Sequence, residues 1–183
     1  MNLPNLLSLS RVLLIPIFVI LIMQHRFGWA LITYAVAGVT DGVDGLIARI
    51  THQRTELGAY LDPIADKLLL SAGFITLAII ELLPNWLTVI VITRDLIILL
   101  GFFIFILTNR RPKIQPLIVS KITTGFQIST IILVLLTVYH PSFKLLIPFA
   151  VYGTFIFTII SGAHYIYLGT RILNEKSSSH LHG

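Results

Sequence analysis

Val12-Leu-Leu-Ile-Pro16-Ile-Phe-Val-Ile-Leu-Ile-Met23 contains no charge and no side chain that hydrogen-bonds strongly. Extended back to Asn5, the stretch covers residues 5–23, close to the roughly 20 residues an α-helix needs to cross a bilayer. Five more apolar stretches follow, at about 28–49, 59–82, 85–107, 117–138 and 143–168. Lipid offers the backbone no hydrogen-bond partners, so such segments satisfy themselves as helices. The predicted fold is therefore all-α: a polytopic membrane protein with six transmembrane helices. A short interfacial helix over Asn2–Leu9 is expected before the first. Pro16 and Pro148 are expected inside helices, which membrane bundles tolerate. A cleaved secretory signal is disfavoured, because Gln24-His25-Arg26 follows the first stretch where small residues would be needed.

Composition agrees. Of 183 residues, 56% are apolar and 11% charged, against about a quarter charged in soluble domains, and the mean hydropathy is +0.91. These values exclude a disordered chain, a fibrous repeat and an ordinary soluble enzyme. One membrane domain is expected over residues 1–173, followed by a polar, unstructured tail over 174–183. His180 and His182 in that tail read as solvated residues, not metal ligands. With no cysteine, disulfides, zinc-thiolate sites and thiol nucleophiles are excluded. The net charge of +5 reads as loops facing anionic lipid, with no nucleic-acid partner.

Charge also orients the chain. Arg11, Arg49, Arg54, Arg110, Arg111, Lys113, Arg171 and Lys176 fall on one side of the spans, Arg26 and Lys144 on the other. Eight against two places both termini in the cytoplasm. Trp29 and Trp86 then fall at the opposite interface. The expected location is the inner (cytoplasmic) membrane of a bacterium.

Five of the eight acidic residues are aspartates in or at the edge of spans: Asp41, Asp44, Asp62, Asp66 and Asp95. A carboxylate at the bilayer centre costs about 2.5–3.5 kcal/mol even on the lenient insertion scale. Asp41 and Asp44 are i,i+3 neighbours on one helix face, and Asp62 and Asp66 are i,i+4 neighbours on the next helix. A short loop joins spans 2 and 3, so the two pairs are expected to face each other at the cytoplasmic ends of antiparallel neighbours. Four close carboxylates repel, and hard divalent cations such as Mg²⁺, Mn²⁺ or Ca²⁺ relieve that. Gly45 and Ala48 share roughly the face of Asp41. They read either as close helix packing or as a gap for a flat part of a ligand. Arg49 reads as a bidentate phosphate ligand or a plain interfacial anchor. A metal pair ringed by carboxylates, with arginine nearby, suits phosphoryl chemistry. A transporter would also carry carboxylates, but near the midplane on broken helices and with no need of Gly45, Ala48 and Arg49 at those offsets.

The chain resembles the CDP-alcohol phosphatidyltransferases. Their signature D-x2-D-G-x2-A-R-x8-G-x3-D-x3-D is met without departure at Asp41, Asp44, Gly45, Ala48, Arg49, Gly58, Asp62 and Asp66. The resemblance implies phospholipid biosynthesis. The phosphatidyl group of CDP-diacylglycerol passes to an alcohol and CMP leaves, with two divalent cations, Mg²⁺ or Mn²⁺, as cofactors. By that resemblance Asp41, Asp44, Asp62 and Asp66 hold the metals and Asp66 is also the catalytic base. Asn5, Gly45, Ala48, Arg49 and Gly58 are assigned to the CDP-lipid. Arg11, Arg94, Arg110, Arg111 and Lys121 are assigned to the acceptor. Arg94 has an alternative, a self-satisfied ion pair with Asp95, and Lys67 is expected to offset the charge of Asp66. A homodimer is also implied.

Span 5 opens with Ser120-Lys121-Ile-Thr123-Thr124-Gly-Phe-Gln127. Phosphatidylglycerophosphate synthases usually show G-K-x-K-T-x-x-Q there, whose two lysines suit glycerol-3-phosphate. The form S-K-x-x-T-x-x-Q looks more like the CMP-forming cardiolipin synthases, whose acceptor is phosphatidylglycerol. Phosphatidylglycerol is the favoured acceptor and glycerol-3-phosphate the alternative. On this reading, restoring the second lysine with Thr123→Lys is expected to shift preference toward glycerol-3-phosphate.

Overall fold

The computed structural model describes the backbone of residues 3–50, 56–107 and 118–179, and the side chains of residues 11–40, 64–101 and 118–168. Among these the chain is helical throughout its regular structure: α1 (Leu3–Met23), α2 (Phe27–Ile50), α3 (Glu56–Ile79), α4 (Asn85–Leu107), α5 (Ile118–Thr137) and α6 (Ile147–Ser179), with a 3₁₀ turn at Pro141–Leu146 between the last two.

The expected separate interfacial helix does not form. Residues 3–9 of it are the first turns of an unbroken α1, and Asn2 lies outside the described residues. Pro4 sits in the first turn, where its missing N–H is no loss, and no glycine or proline interrupts the chain before Pro16. Pro148 likewise lies at the second position of α6, since the 3₁₀ turn occupies the residues before it. At its other end α6 continues to Ser179, six residues into the segment expected to be unstructured. Residues 180–183 of that segment lie outside the described residues.

Two tight turns close the far end of the bundle. After α1, His25 takes φ 55°, its N–H bonds to Ile22 O, and the N–H of Arg26 reaches Leu21 O. After α3, Glu81 takes φ 61°, with N–H bonds from Glu81 to Ala78 O and from Leu82 to Leu77 O. Both are Schellman ends, in which a left-handed residue turns the chain back to satisfy the last carbonyls. The second one stops α3 at Ile79, short of the span boundary at 82.

α1 packs on both α2 and α3; α4 packs on α3 and α6; α5 packs on α6 and also meets α2 and α3. Among the described residues α1 thus contacts both members of the pair that the sequence presents as adjacent. The α2–α3 junction itself carries residues 41–63, whose side chains lie outside the description. Phe18, Ile22, Tyr34, Phe74, Leu77, Leu87, Ile131 and Leu135 form a closed core, with the Phe18 and Tyr34 rings 5.2 Å apart. At the far end the backbone N–H of Gly28 donates to Tyr139 Oη at 2.7 Å. A Cβ at residue 28 would stand 2.7 Å from that oxygen, so only glycine allows the approach.

Among the described residues the surface is apolar and the interior partly polar. Leu13, Val39, Leu100, Leu145 and Phe149 are among the exposed residues, while Arg11, Arg94, Asp95, Gln127 and several threonines are buried. This is the inverse of a soluble domain and marks a membrane protein. Ile118–Thr137 and Pro141–Leu168 are each long and apolar enough to cross a bilayer. Thr33, Thr40, Thr76 and Thr124 donate their hydroxyls to the carbonyl four residues earlier, which satisfies them where water is absent.

Candidate functional site

Successive helices joined by short connections alternate in direction. The start of α1, the end of α2 and the starts of α3 and α5 therefore gather at one end of the bundle. Of the eight signature positions, Asp41, Asp44, Gly45, Ala48 and Arg49 lie on α2 and Gly58, Asp62 and Asp66 on α3. The helical backbone keeps Asp41 one turn from Asp44 and Asp62 one turn from Asp66. The side chain of Asp66 is described; those of the other seven, and of Asn5 on α1, are not. Arg110 and Arg111 lie outside the described residues altogether.

Arg11 Nη1 donates to Asp66 Oδ1, bridging α1 to α3. The guanidinium is fully buried, whereas the carboxylate keeps 41% of its side-chain surface. Asp66 is thus held from within by a fixed cation and still open from outside. That pairing is not what the chain suggests locally, where Lys67 follows Asp66 directly. Lys67 instead turns to Asp95 on α4, with Nζ 2.8 Å from Oδ1.

The same Asp95 oxygen accepts from Arg94 Nη1 at 2.7 Å. Arg94 Nη2 donates to Ser120 Oγ on α5 at 2.8 Å and to Ser161 Oγ on α6 at 2.5 Å, and its guanidinium lies 5.9 Å from the centre of the Tyr165 ring. Arg94 and Asp95 are both about 3% exposed. The ion pair therefore forms, and it extends to a network joining α3, α4, α5 and α6. Lys67, Ser120 and Ser161 were not expected in it. The available signal was that a cation and an anion inside predicted spans, with no local partner, must meet one another.

Lys121 is exposed one residue beyond this network. Thr123, in the slot of the second lysine, points the other way. It is fully buried, and its hydroxyl donates to Val119 O at 2.8 Å and approaches Phe157 O on α6 at 3.0 Å. A lysine there would carry its charge into the α5–α6 seam, at a cost of several kcal/mol. Thr123→Lys is therefore expected to lower the thermal unfolding midpoint of the detergent-solubilised protein with no gain in use of glycerol-3-phosphate. An unchanged midpoint together with increased phosphatidylglycerophosphate formation would contradict this. Gln127, four residues on, is fully buried, and neither side-chain polar atom has a hydrogen-bond partner among the described residues.

The donor set suits hard cations. The four signature aspartates offer carboxylate oxygen only, there is no cysteine in the chain, and the surface left on Asp66 is compatible with a ligand beside Arg11. Among the described residues no three acidic or histidine side chains cluster, since only one of the four aspartates is among them.

The family model described as CDP-alcohol phosphatidyltransferase matches residues 1–160. A probable cardiolipin synthase (CMP-forming) of Drosophila melanogaster is 39% identical over 147 residues, covering 72% of this chain and 46% of its own length. The cardiolipin synthase (CMP-forming) of Homo sapiens is 35% identical over 143 residues, 69% of this chain and 48% of its own. The chain thus spans about half the length of these curated relatives. The CDP-diacylglycerol–glycerol-3-phosphate 3-phosphatidyltransferase of Bacillus subtilis is 34% identical over 184 residues, 90% of this chain and 93% of its own.

Proposed function

Because the chain belongs to the CDP-alcohol phosphatidyltransferase family, we propose that it makes phospholipid by moving the phosphatidyl group of CDP-diacylglycerol onto an alcohol. The acceptor oxygen attacks the lipid-side phosphorus, the bond from that phosphorus to the bridging oxygen breaks, and CMP leaves. The observation that carries the reading is the complete eight-position signature, laid out on α2 and α3.

The residues divide the work as follows. Asp41, Asp44, Asp62 and Asp66 hold two divalent cations, Mg²⁺ or Mn²⁺. When bound, such cations neutralise the diphosphate and stabilise attacking and leaving oxygens. Asp66 takes the proton of the acceptor hydroxyl, a role its partial exposure supports, and the Arg11 Nη1 hydrogen bond to Oδ1 fixes its orientation. Gly45 and Ala48 admit the cytidine close to the α2 backbone, while Asn5, Arg49 and Gly58 complete the CDP-lipid site. Lys121, Arg110 and Arg111 meet the acceptor, and Arg94 braces the wall behind Ser120. The six helices span the cytoplasmic membrane with both termini and the site on the cytoplasmic side, and two chains form a dimer.

The acceptor we favour is phosphatidylglycerol, giving cardiolipin. The likeness to the cardiolipin synthases of Drosophila melanogaster and Homo sapiens supports it, and Lys121, the single cation of α5, suits a diester of one charge. The second reading is glycerol-3-phosphate, favoured by the likeness to the Bacillus relative over nearly its whole length. Incubation of purified protein with CDP-diacylglycerol and each acceptor separates them by lipid product. Chelation with EDTA is expected to abolish CMP release, and Mg²⁺ or Mn²⁺ to restore it; Zn²⁺ is expected to give no comparable turnover. Full activity after chelation would contradict the metal assignment.

A further inference from the structure

Below Lys121 the structure holds a groove between α5 and α6, about 460 Å³, lined by Ile122, Gly125, Phe126, Ser129, Leu133, Phe149 and Ala150. We propose that this groove seats an acyl chain of the acceptor lipid, with the lipid's phosphate at Lys121. The assignment rests on the reading that the acceptor is phosphatidylglycerol.

The groove follows the helix geometry of α5. Lys121, Gly125 and Ser129 stand four residues apart and share one face, so a cation heads a channel whose lower walls are apolar. From Ile122 to Leu133 the channel runs about 16 Å at about 1.5 Å per residue, roughly half of a hydrocarbon core about 30 Å thick. Its volume lies within the range of roughly 300–1,000 Å³ typical of ligand clefts. One wall is rigid. The Phe126 ring stacks on Phe157, centroids 4.7 Å apart, and lies so close to α6 that a Cβ at Gly153 would meet it at 2.7 Å. The floor is open by contrast: a Cβ at Gly125 would meet nothing within 4 Å. Charge at the mouth and apolar length below match an anionic diacyl phospholipid. A free glycerol phosphate would use the mouth alone. The acceptor rather than the donor is assigned here because the CDP-lipid signature lies on α2 and α3, while Lys121 belongs to the segment that separates acceptor classes.

Open space at Gly125 gives a clean test. The Cβ of Gly125→Phe starts in open space and its ring extends along the groove, and replacing glycine raises helix propensity; the thermal midpoint checks that folding is retained. Gly101→Phe on α4, where a Cβ also meets nothing within 4 Å, is the matched control. The full chain in non-phospholipid detergent is given CDP-diacylglycerol, Mg²⁺ and either dioleoyl- or dihexanoyl-phosphatidylglycerol. The ratio of kcat/KM for the long over the short acceptor is expected to fall about tenfold in Gly125→Phe, mainly through KM, and to stay at the parent value in Gly101→Phe. An unmoved ratio in Gly125→Phe overturns the groove assignment and leaves the phosphatidylglycerol reading standing. A change that follows the chain length of CDP-diacylglycerol instead assigns the groove to the donor and also overturns it. If the unmodified protein forms no cardiolipin from either acceptor, the acceptor reading fails and the groove assignment falls with it.

Discussion

Asp66→Asn is expected to lower kcat by about 10²–10⁴-fold, the range that a positioned general base contributes, while CDP-diacylglycerol still binds. The amide keeps an oxygen where Asp66 Oδ1 receives the Arg11 guanidinium, so the α1–α3 bridge retains a hydrogen bond and the fold a reason to persist. What the amide lacks is a basic oxygen for the proton of the acceptor hydroxyl. The signature of that loss is a fall in kcat and kcat/KM without a matching loss of donor affinity. Donor binding is read by titration with CDP-diacylglycerol, and folding by the thermal midpoint. Turnover within threefold of the parent would remove Asp66 from the base role. A lowered midpoint with parallel loss of donor binding would make its role structural.

The helices were legible because each apolar stretch is bounded by charge or by turn residues, and five of six α-helices start within three residues of the expected positions. α6 starts four residues late, because a proline at 141 and another at 148 bracket a 3₁₀ turn. The signature was legible because its residue types and spacings are specific without any knowledge of packing. Neighbour relations were not legible. Helices apolar on nearly every side carry no stripe that says which face is internal, so the packing of α1 on both α2 and α3 has no sequence signal. For the same reason the hydrogen-bond partner of Lys67, Asp95, is not legible. Sequence adjacency favours Asp66, but residues i and i+1 on a helix point about 100° apart. Lys67 faces α4 while Asp66 faces α1. The orientation of Thr123 into α6 was hidden in the same way, and it removes the simple lysine-counting argument at that slot.

The cluster around Asp95 makes the largest claim on stability. One buried carboxylate oxygen accepts from both Lys67 and Arg94, so Asp95→Ala strands two cations in a water-poor interior. Removing one partner of a buried ion pair typically costs about 3–5 kcal/mol. The Lys67 side chain keeps 18% of its surface and recovers some hydration, whereas Arg94 keeps 3%, so most of the loss is assigned to Arg94. For a chain of this size the thermal midpoint is expected to fall by roughly 6 °C or more. Ser161→Ala removes a single hydrogen bond from Arg94 and is expected to cost only about 1–3 kcal/mol. The decisive comparison removes all the charge together. Replacing Lys67, Arg94 and Asp95 by Met, Met and Leu leaves no stranded ion, and buried ion clusters exchanged for apolar side chains of similar volume are often neutral or better. Recovery of the midpoint in that triple variant, after its loss in Asp95→Ala, is the expected pattern. A triple variant that stays folded yet loses turnover would then tie the cluster to the wall beside Ser120 and Lys121, where the acceptor is proposed to bind. An Asp95→Ala midpoint within about 1 °C of the parent would show that the two cations find other partners, and that the network contributes little to holding α3, α4, α5 and α6 together.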